Sequence, residues 1–388
     1  MIAAIAELGC SSHADPMSQA TAGEVALSVV VEPMVTQANR CRECHGSIYA
    51  EWRSSRHAIA TTSATYRIMQ RQSETTTCGE CHAPIETLAE EGVTCEGCHR
   101  IVAVTPDRAG ARFTLDLSDN RELGSVCAPS AIYFHKSGCS PVVQAAAMCG
   151  SCHSWTVPAK GGGDLPIVTE FGEWQASTYR DTPCQSCHMP GTPREVATGA
   201  GVRPEVAGHL LLGTNDELRT RAVQLAIDAS RDGSRIDVSI TVTNTGAGHT
   251  IPSGLSGRQL ILVVRVVAEH DEEIDRCERV YSRVLVDASG VEAPFYRADH
   301  MQSDKRIAAG ATRVETCSLR RQTGDHPGPA LQRSLARSIL GPGGRPGFPP
   351  TRIIAQLLSR QMSPVLATAV GAPLAATALM AERSLAAP

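Results

Sequence analysis

A pentapeptide of the form Cys-x-x-Cys-His recurs five times between residues 41 and 188. The copies are Cys41-Arg42-Glu43-Cys44-His45, Cys78-Gly79-Glu80-Cys81-His82, Cys95-Glu96-Gly97-Cys98-His99, Cys149-Gly150-Ser151-Cys152-His153 and Cys184-Gln185-Ser186-Cys187-His188. Two thiols three positions apart can add to the two vinyl groups of one porphyrin, and the adjacent histidine can reach the iron as proximal ligand. The repeats therefore point to five c-type haems, with thioethers from the ten cysteines and proximal imidazoles from His45, His82, His99, His153 and His188. Tandem Cys-x-x-Cys pairs also build zinc ribbons, and a single pair can be a thioredoxin-like redox site. Neither chemistry asks for a histidine after every second cysteine, and with only 13 histidines in 388 residues five such coincidences do not arise by chance.

This count constrains the rest of the chain. Aromatic residues make up 4% of the sequence, too few for an ordinary core around the motifs, so porphyrin rings are expected to supply most of the buried apolar surface there. The formal net charge of −4 becomes more negative with two propionates per haem, and no basic tract is present, which argues against nucleic acid as a partner. No stretch approaches the ~20 apolar residues of a membrane-spanning helix. Covalent haem attachment takes place outside the bacterial cytoplasm, where disulfides persist. Of the 15 cysteines, the five outside the motifs are Cys10, Cys127, Cys139, Cys277 and Cys317. Local pairing gives Cys127 with Cys139 and Cys277 with Cys317, leaving Cys10. Cys10 follows Ile5-Ala6-Glu7-Leu8-Gly9 like the lipidated cysteine of a lipoprotein signal, which makes it a candidate lipid anchor. Against that, Glu7 stands where an aliphatic residue is usual, and the first Lys or Arg is Arg40. The alternative is an ordinary free thiol.

The chain divides into a leader or tether over 1–38, a pentahaem domain over 39–212, a β-sandwich-like domain over 213–340, and a linker, short helix and Ala-rich tail over 341–388. The fold class is α+β, a mostly helical or irregular haem domain followed by a small β-sandwich. Residues 46–60 lack Pro and internal Gly and space Ile48, Trp52, Ser55 and Ile59 as a helix does, with His57 on it. Twelve helical residues from His45 to His57 rise roughly 18 Å, so the two cannot share one iron. His135 lies between Cys127 and Cys139, where a disulfide loop would hold it as a distal ligand. Residues 112–117 alternate as a short strand, and 161–163 are a glycine turn. Beyond His188, residues 235–244 alternate strictly, residues 260–267 form a more apolar run, and 281–286 and 312–319 follow as further strands. A helix is expected over 351–360.

The chain resembles bacterial multihaem c-type cytochromes related to the tetrahaem cytochromes of nitrifying bacteria. The likeness lies in Trp52, Ser55 and His57 after the first motif, in Gly92-Val93-Thr94 before the third, and in Glu173-Trp174, Ser177 and Tyr179 before the fifth, which continues into Met189-Pro190. It extends to Gly208-His209 with Gly213, and to Asn244-Thr245-Gly246-Ala247-Gly248-His249-Thr250-Ile251-Pro252-Ser253-Gly254, over roughly residues 40–320. The resemblance implies that His57, His209 and His249 complete bis-histidine coordination. Met189 follows His188 directly and cannot reach the opposite face of the same ring.

The function expected is electron transfer along five haems in the periplasm or at the outer cell surface, with redox proteins as donor and acceptor. Iron with two histidine ligands carries electrons and does not bind substrate. The distal candidates His57, His135, His209 and His249 number four against five haems. His13 is placed in the leader as a candidate for the fifth, and His270, His300 and His326 are weaker ones. One iron without a distal histidine would suit an enzyme acting on nitrite or hydroxylamine. A distal ligand supplied by a neighbouring chain would suit a self-assembling filament.

Overall fold

The computed structural model describes residues 34–388 apart from 74–76, 106–112, 128–132, 212, 214–215, 234, 269–270 and 321–350. Residues 1–33 of the expected leader, with Cys10 and His13, and also His270, His326 and the expected 341–350 linker lie outside the described residues.

The first part is a set of short helices: α1 (Ala38–Cys41), α2 (Gly46–Arg53), α3 (Ala64–Ser73), α4 (Cys78–His82), α5 (Cys95–His99), α6 (Ala146–Gly150), α7 (Glu170–Gln175) and α8 (Cys184–His188). The second, third and fifth motifs are the helices α4, α5 and α8 themselves. The first and fourth close the same turn at the ends of α1 and α6, where His45 and His153 donate their amides to the Cys41 and Cys149 carbonyls at 2.8 Å. A helical turn puts positions i and i+3 on one face, so every motif presents its two thiols together.

Small two-stranded sheets separate these helices. They are β1 (Ile101–Val104) with β2 (Phe113–Leu115), β3 (Arg121–Gly124) with β4 (Lys136–Cys139), β5 (Trp155–Pro158) with β6 (Asp164–Val168), and β7 (Gly191–Glu195) with β8 (Val202–Ala207). The β3/β4 pair is parallel, and Cys127 and Cys139 are disulfide-bonded beside it.

After α9 (Asp216–Ala222), the strands β9 (Val223–Asp232), β10 (Arg235–Asn244), β11 (Gln259–Val267), β12 (Glu273–Tyr281), β13 (Arg283–Val286), β14 (His300–Asp304), β15 (Thr312–Arg320), β16 (Arg352–Arg360) and β17 (Ala378–Ala386) follow, with α10 (Pro364–Val370) between the last two. They form a three-stranded sheet β15-β10-β9 and a four-stranded sheet β12-β11-β16-β17, with β13/β14 as a separate ribbon. The alternation of β10 sends Ile236, Val238, Ile240 and Val242 into the space between the sheets, against Leu260, Leu262, Val264 and Val266 of β11 and Ile353, Ala355 and Leu357 of β16. Each buried Val, Leu or Ile among them contributes about 1.5–3 kcal/mol. The Cys277–Cys317 disulfide ties β12 of one sheet to β15 of the other, so this is a stapled sandwich.

Two local expectations are corrected. The helix expected over 351–360 is strand β16, placed between β11 and β17. A central strand buries residues on both faces, here Ile353, Ile354, Ala355 and Leu357, so its pattern loses the period of two and imitates a buried helix. The helix expected over 46–60 ends at Arg53. Ser54 and Ser55 end it: the Ser54 hydroxyl donates to the Ala50 carbonyl at 3.0 Å, and the Ser55 amide turns back to Trp52 at 2.8 Å. His57 therefore sits in the turn beyond the helix.

The two parts are clamped together by a group of charges with little solvent access. Arg283 donates to the Pro166 carbonyl at 2.7 Å and the Thr169 hydroxyl at 2.8 Å, while Arg306 pairs with Glu173 at 2.7 Å and Asp304 at 2.9 Å. Among the described residues no helix is long and apolar enough to cross a membrane.

Candidate haem centres

A cavity of about 2600 Å³ runs through the first part and up to the face of the sandwich. That is several times an ordinary small-molecule site of roughly 300–1,000 Å³. All five motifs line it, and the protein-only cluster beside it is small, with Ala38, Trp52 and Ala58 as its buried members. The core of this part is mostly cofactor space.

Within the cavity, imidazoles face one another in pairs. His45 faces His135 at 6.3 Å between ring centres, His153 faces His57 at 6.4 Å, His99 faces His209 at 6.1 Å, and His188 faces His249 at 6.3 Å. A metal–imidazole bond is about 2.0 Å and its nitrogen lies roughly 1.1 Å from the ring centre, so two imidazoles on opposite sides of one metal stand roughly 6.2 Å apart. The spacing fits an iron between each pair. His82 differs: the ring facing it is Tyr66, at 4.7 Å, too close for a metal between them.

The imidazoles are also prepared as ligands. His45 donates its Nδ1 hydrogen to the Val196 carbonyl at 2.6 Å, His99 to Leu123 at 2.7 Å, His82 to Ala60 at 3.1 Å, His209 to Ala207 at 2.9 Å and His135 to Lys136 at 3.0 Å. A proton held on Nδ1 leaves the Nε2 lone pair for iron. Removal from water, reinforced by the neighbouring His153, His82 and His188, pulls His57 down to about 4, and burial with the nearby His99 does the same for His209. Both are neutral at pH 7, the form that binds metal. His57 Nδ1 is buried with no hydrogen-bond partner among the described residues.

Three of the candidate distal histidines, His57, His209 and His249, are each held by a specific brace. For His57 the brace is Gly92-Val93: the Val93 amide donates to the His57 carbonyl at 3.0 Å, and Trp52 Nε1 donates to the Val93 carbonyl at 2.8 Å. Gly92 has φ of 70°, and a Cβ there would lie 2.3 Å from the His57 carbonyl oxygen. For His209 it is Glu51, which accepts from the His209 amide at 2.7 Å and from Arg194 Nη2 at 3.0 Å. For His249 it is the fully buried Asn244, whose Nδ2 donates to the His249 carbonyl at 2.9 Å and the Ile307 carbonyl at 3.1 Å, while Oδ1 accepts from the Ala247 amide at 3.1 Å. Gly246 lets that loop pass the Arg221 carbonyl, which a Cβ would meet at 2.1 Å.

The third motif is anchored by an arginine that sequence reasoning did not single out. Arg100, 1% exposed, donates from Nε to the Asp116 carbonyl at 2.9 Å and lies 3.5 Å from Glu96 and 3.3 Å from Glu122. Its position directly after a motif histidine was the one available signal. Of the weaker histidine candidates, His300 lies on β14, 55% exposed and paired with Asp299 at 3.1 Å, facing none of the motifs' histidine rings.

Thiols of different motifs lie near one another: Cys41 near Cys95, Cys152 near Cys81, and Cys149 near Cys184. Among the described residues no three His, Cys, Asp or Glu side chains converge as a metal-ion cluster.

Residues 29–100 match the family described as cytochrome c7 and related cytochrome c. The fold is similar to the crystal structure of a penta-heme cytochrome c552 from Thermochromatium tepidum, with a TM-score of 0.69 and 19% identity over 92% of this chain and 100% of that one. The chain has the fold of a multihaem c-type cytochrome. A putative beta-galactosidase from Bacteroides fragilis aligns at 11% identity over 42% of this chain and 15% of that one, with a TM-score of 0.19 too low to carry an argument. No curated protein matches. The α+β architecture with a β-rich second part agrees with the sequence expectation.

Proposed function

We propose that this cytochrome relays electrons along five covalently attached haems in the periplasm or at the cell surface, between a redox protein that donates and one that accepts. The observation that carries the proposal is the set of four facing imidazole pairs at 6.1–6.4 Å, which suits four six-coordinate irons. Bound haem supplies a one-electron couple between ferric and ferrous iron. The chain's own residues do the remainder. Carbonyls fix the imidazole tautomers, the braces on His57, His209 and His249 hold the distal rings in place, and both disulfides suit an oxidising compartment.

Intact mass and low-temperature electron paramagnetic resonance of the oxidised protein test the reading together. We expect the mass of the chain plus five haems and at least four low-spin ferric signals. Fewer than five haems, or a majority of high-spin irons, would refute it.

A second reading concerns the site of Cys78, Cys81 and His82, where Tyr66 and not a histidine faces the proximal ring. An iron there is the candidate for catalysis on nitrite or hydroxylamine. Carbon monoxide added to the reduced protein tests it: one rapidly binding haem favours the enzyme, and none favours a pure carrier.

A further inference from the structure

The imidazole of the second motif has a neighbour of another kind. His45, His99, His153 and His188 look across at distal candidates at 6.1–6.4 Å, whereas the Tyr66 ring stands 4.7 Å from the His82 ring at an interplanar angle of 34°. That distance fixes the side on which Tyr66 lies. An iron bound to His82 sits roughly 3.1 Å from the imidazole centre, so a ring stacked on the far face of the porphyrin would be roughly 6.6 Å away. A phenolate bonded to the iron from that face would put its ring centre at roughly 7 Å. At 4.7 Å, Tyr66 stands beside the imidazole on the proximal side. The contact supplies what His82 otherwise lacks. Nothing within a histidine side chain sets its ring plane, because χ2 is broad. The Nδ1 hydrogen bonds that help to set it are 2.6 Å at His45 and 2.7 Å at His99, but the one from His82 to the Ala60 carbonyl is 3.1 Å. An aromatic contact favours its own ring orientation over one without it by about 2- to 12-fold.

Tyr66 is carried by α3, which contains no buried residue to fix it. Tyr66, Met69 and Ser73 share one face by helical spacing and line the cavity. The Arg67–Glu90 pair at 3.3 Å is exposed and holds the helix weakly. The firmer hold is Gln72, near the other end of α3. Its Nε2 donates to the Val370 carbonyl at the end of α10 at 3.0 Å, and its Oε1 accepts from the Tyr296 hydroxyl at 2.8 Å. Val370 and Tyr296 both belong to the sandwich part, so both polar groups of one amide are spent on fastening α3 to it.

Resting on the haem reading above, we infer that Tyr66 is a positioning residue for the second haem. Its ring fixes the plane of the His82 imidazole from that imidazole's own side of the iron, and Gln72 ties the helix that carries it to the sandwich. The sandwich then acts on the second motif through α3, at a distance from the His249 loop that serves the fifth. The orientation of an axial imidazole plane sets the rhombic splitting of the iron orbitals, so paramagnetic resonance of the ferric haem reads it in either spin state.

The test uses the oxidised full chain loaded with haem. Cys78→Ser, Cys81→Ser identifies the signal of the second haem by its loss. Tyr66→Leu keeps an apolar side chain but removes the ring, and should shift and broaden that one signal while the other four stay in place. Tyr66→Phe keeps the ring and should restore the parent signal. Gln72→Ala leaves the ring intact and should broaden the same signal by freeing the helix. Intact mass shows whether each Tyr66 and Gln72 variant carries all five haems. An unchanged signal in Tyr66→Leu, a Tyr66→Phe signal as altered as that of Tyr66→Leu, or a change spread over all five haems would overturn the positioning role. An unchanged Gln72→Ala signal would overturn the tie to the sandwich. A parent without the second haem would overturn the haem reading as well, whereas a parent with five haems that does not respond to Tyr66→Leu overturns this inference alone.

Discussion

Replacing Asn244 with alanine should loosen one haem ligand by destabilising the sandwich. Asn244 is fully buried and makes three hydrogen bonds, to the His249 and Ile307 carbonyls and from the Ala247 amide. A buried hydrogen bond contributes about 1 kcal/mol net, and a partner left unsatisfied costs about 1–3 kcal/mol, so the loss should be about 3 kcal/mol. With a guanidinium dependence of about 4 kcal/mol per molar for a domain of this size, the unfolding midpoint should fall by about 0.7 M. Paramagnetic resonance on the folded variant should show heterogeneity or partial high-spin character at one iron, the one served by His249, and none at the others. Asn244→Asp should be worse than alanine, because it keeps the acceptor for Ala247 but turns a carboxylate toward two carbonyls. A midpoint unchanged within 0.2 M, or an aspartate variant as stable as wild type, would refute the argument that this side chain holds the loop.

Cys277→Ser, Cys317→Ser opens a loop with a sequence separation of 40 and should cost about 4 kcal/mol in denaturant unfolding, with the haem spectrum unchanged in the folded state. Arg306→Met leaves Glu173 and Asp304 short of one cation in a site where Arg306 is only 5% exposed, and should cost about 3 kcal/mol by the same measurement. Burial would raise the Asp304 carboxyl, but Arg306 and Arg283 outweigh it and hold it low. Its contribution in the wild type is therefore present above the unfolded value near 3.9 and lost as pH falls below it, and the Arg306 variant should show a flatter acid limb. Gly92→Ala places a Cβ 2.3 Å from the His57 carbonyl at a positive φ, so it should yield little folded protein, or one with an additional high-spin iron.

What could be read from the sequence follows how each feature is encoded. Covalent attachment needs its residues side by side, so the five motifs were legible outright. The strict alternation of β10 was legible because one of its faces is buried and the other wet, whereas β16 misled because a central strand hides that contrast. Both disulfides followed from counting the cysteines outside the motifs and pairing them locally. His57, His135, His209 and His249 were each named as distal candidates, but their pairing was not readable: His57 faces His153 of the fourth motif, and nothing local to either residue specifies the other. The same holds for Arg100 and Glu122, whose contact depends on the turn between β2 and β3.

The two parts of the chain meet at the candidate ligand His249. His249 comes from the sandwich and faces His188 of the last motif, and its loop is tied back to the haem part twice: the Thr250 amide donates to Glu173 at 3.1 Å, and the Tyr179 hydroxyl donates to the Thr245 carbonyl at 2.7 Å. Glu173 also binds Arg306 and Arg283, so one carboxylate on α7 touches the ligand loop and the clamp between the two parts. A passive appendage would need none of these contacts. The sandwich therefore forms a wall of the cavity at the fifth motif, and its stability sets how firmly the candidate distal imidazole of His249 is held.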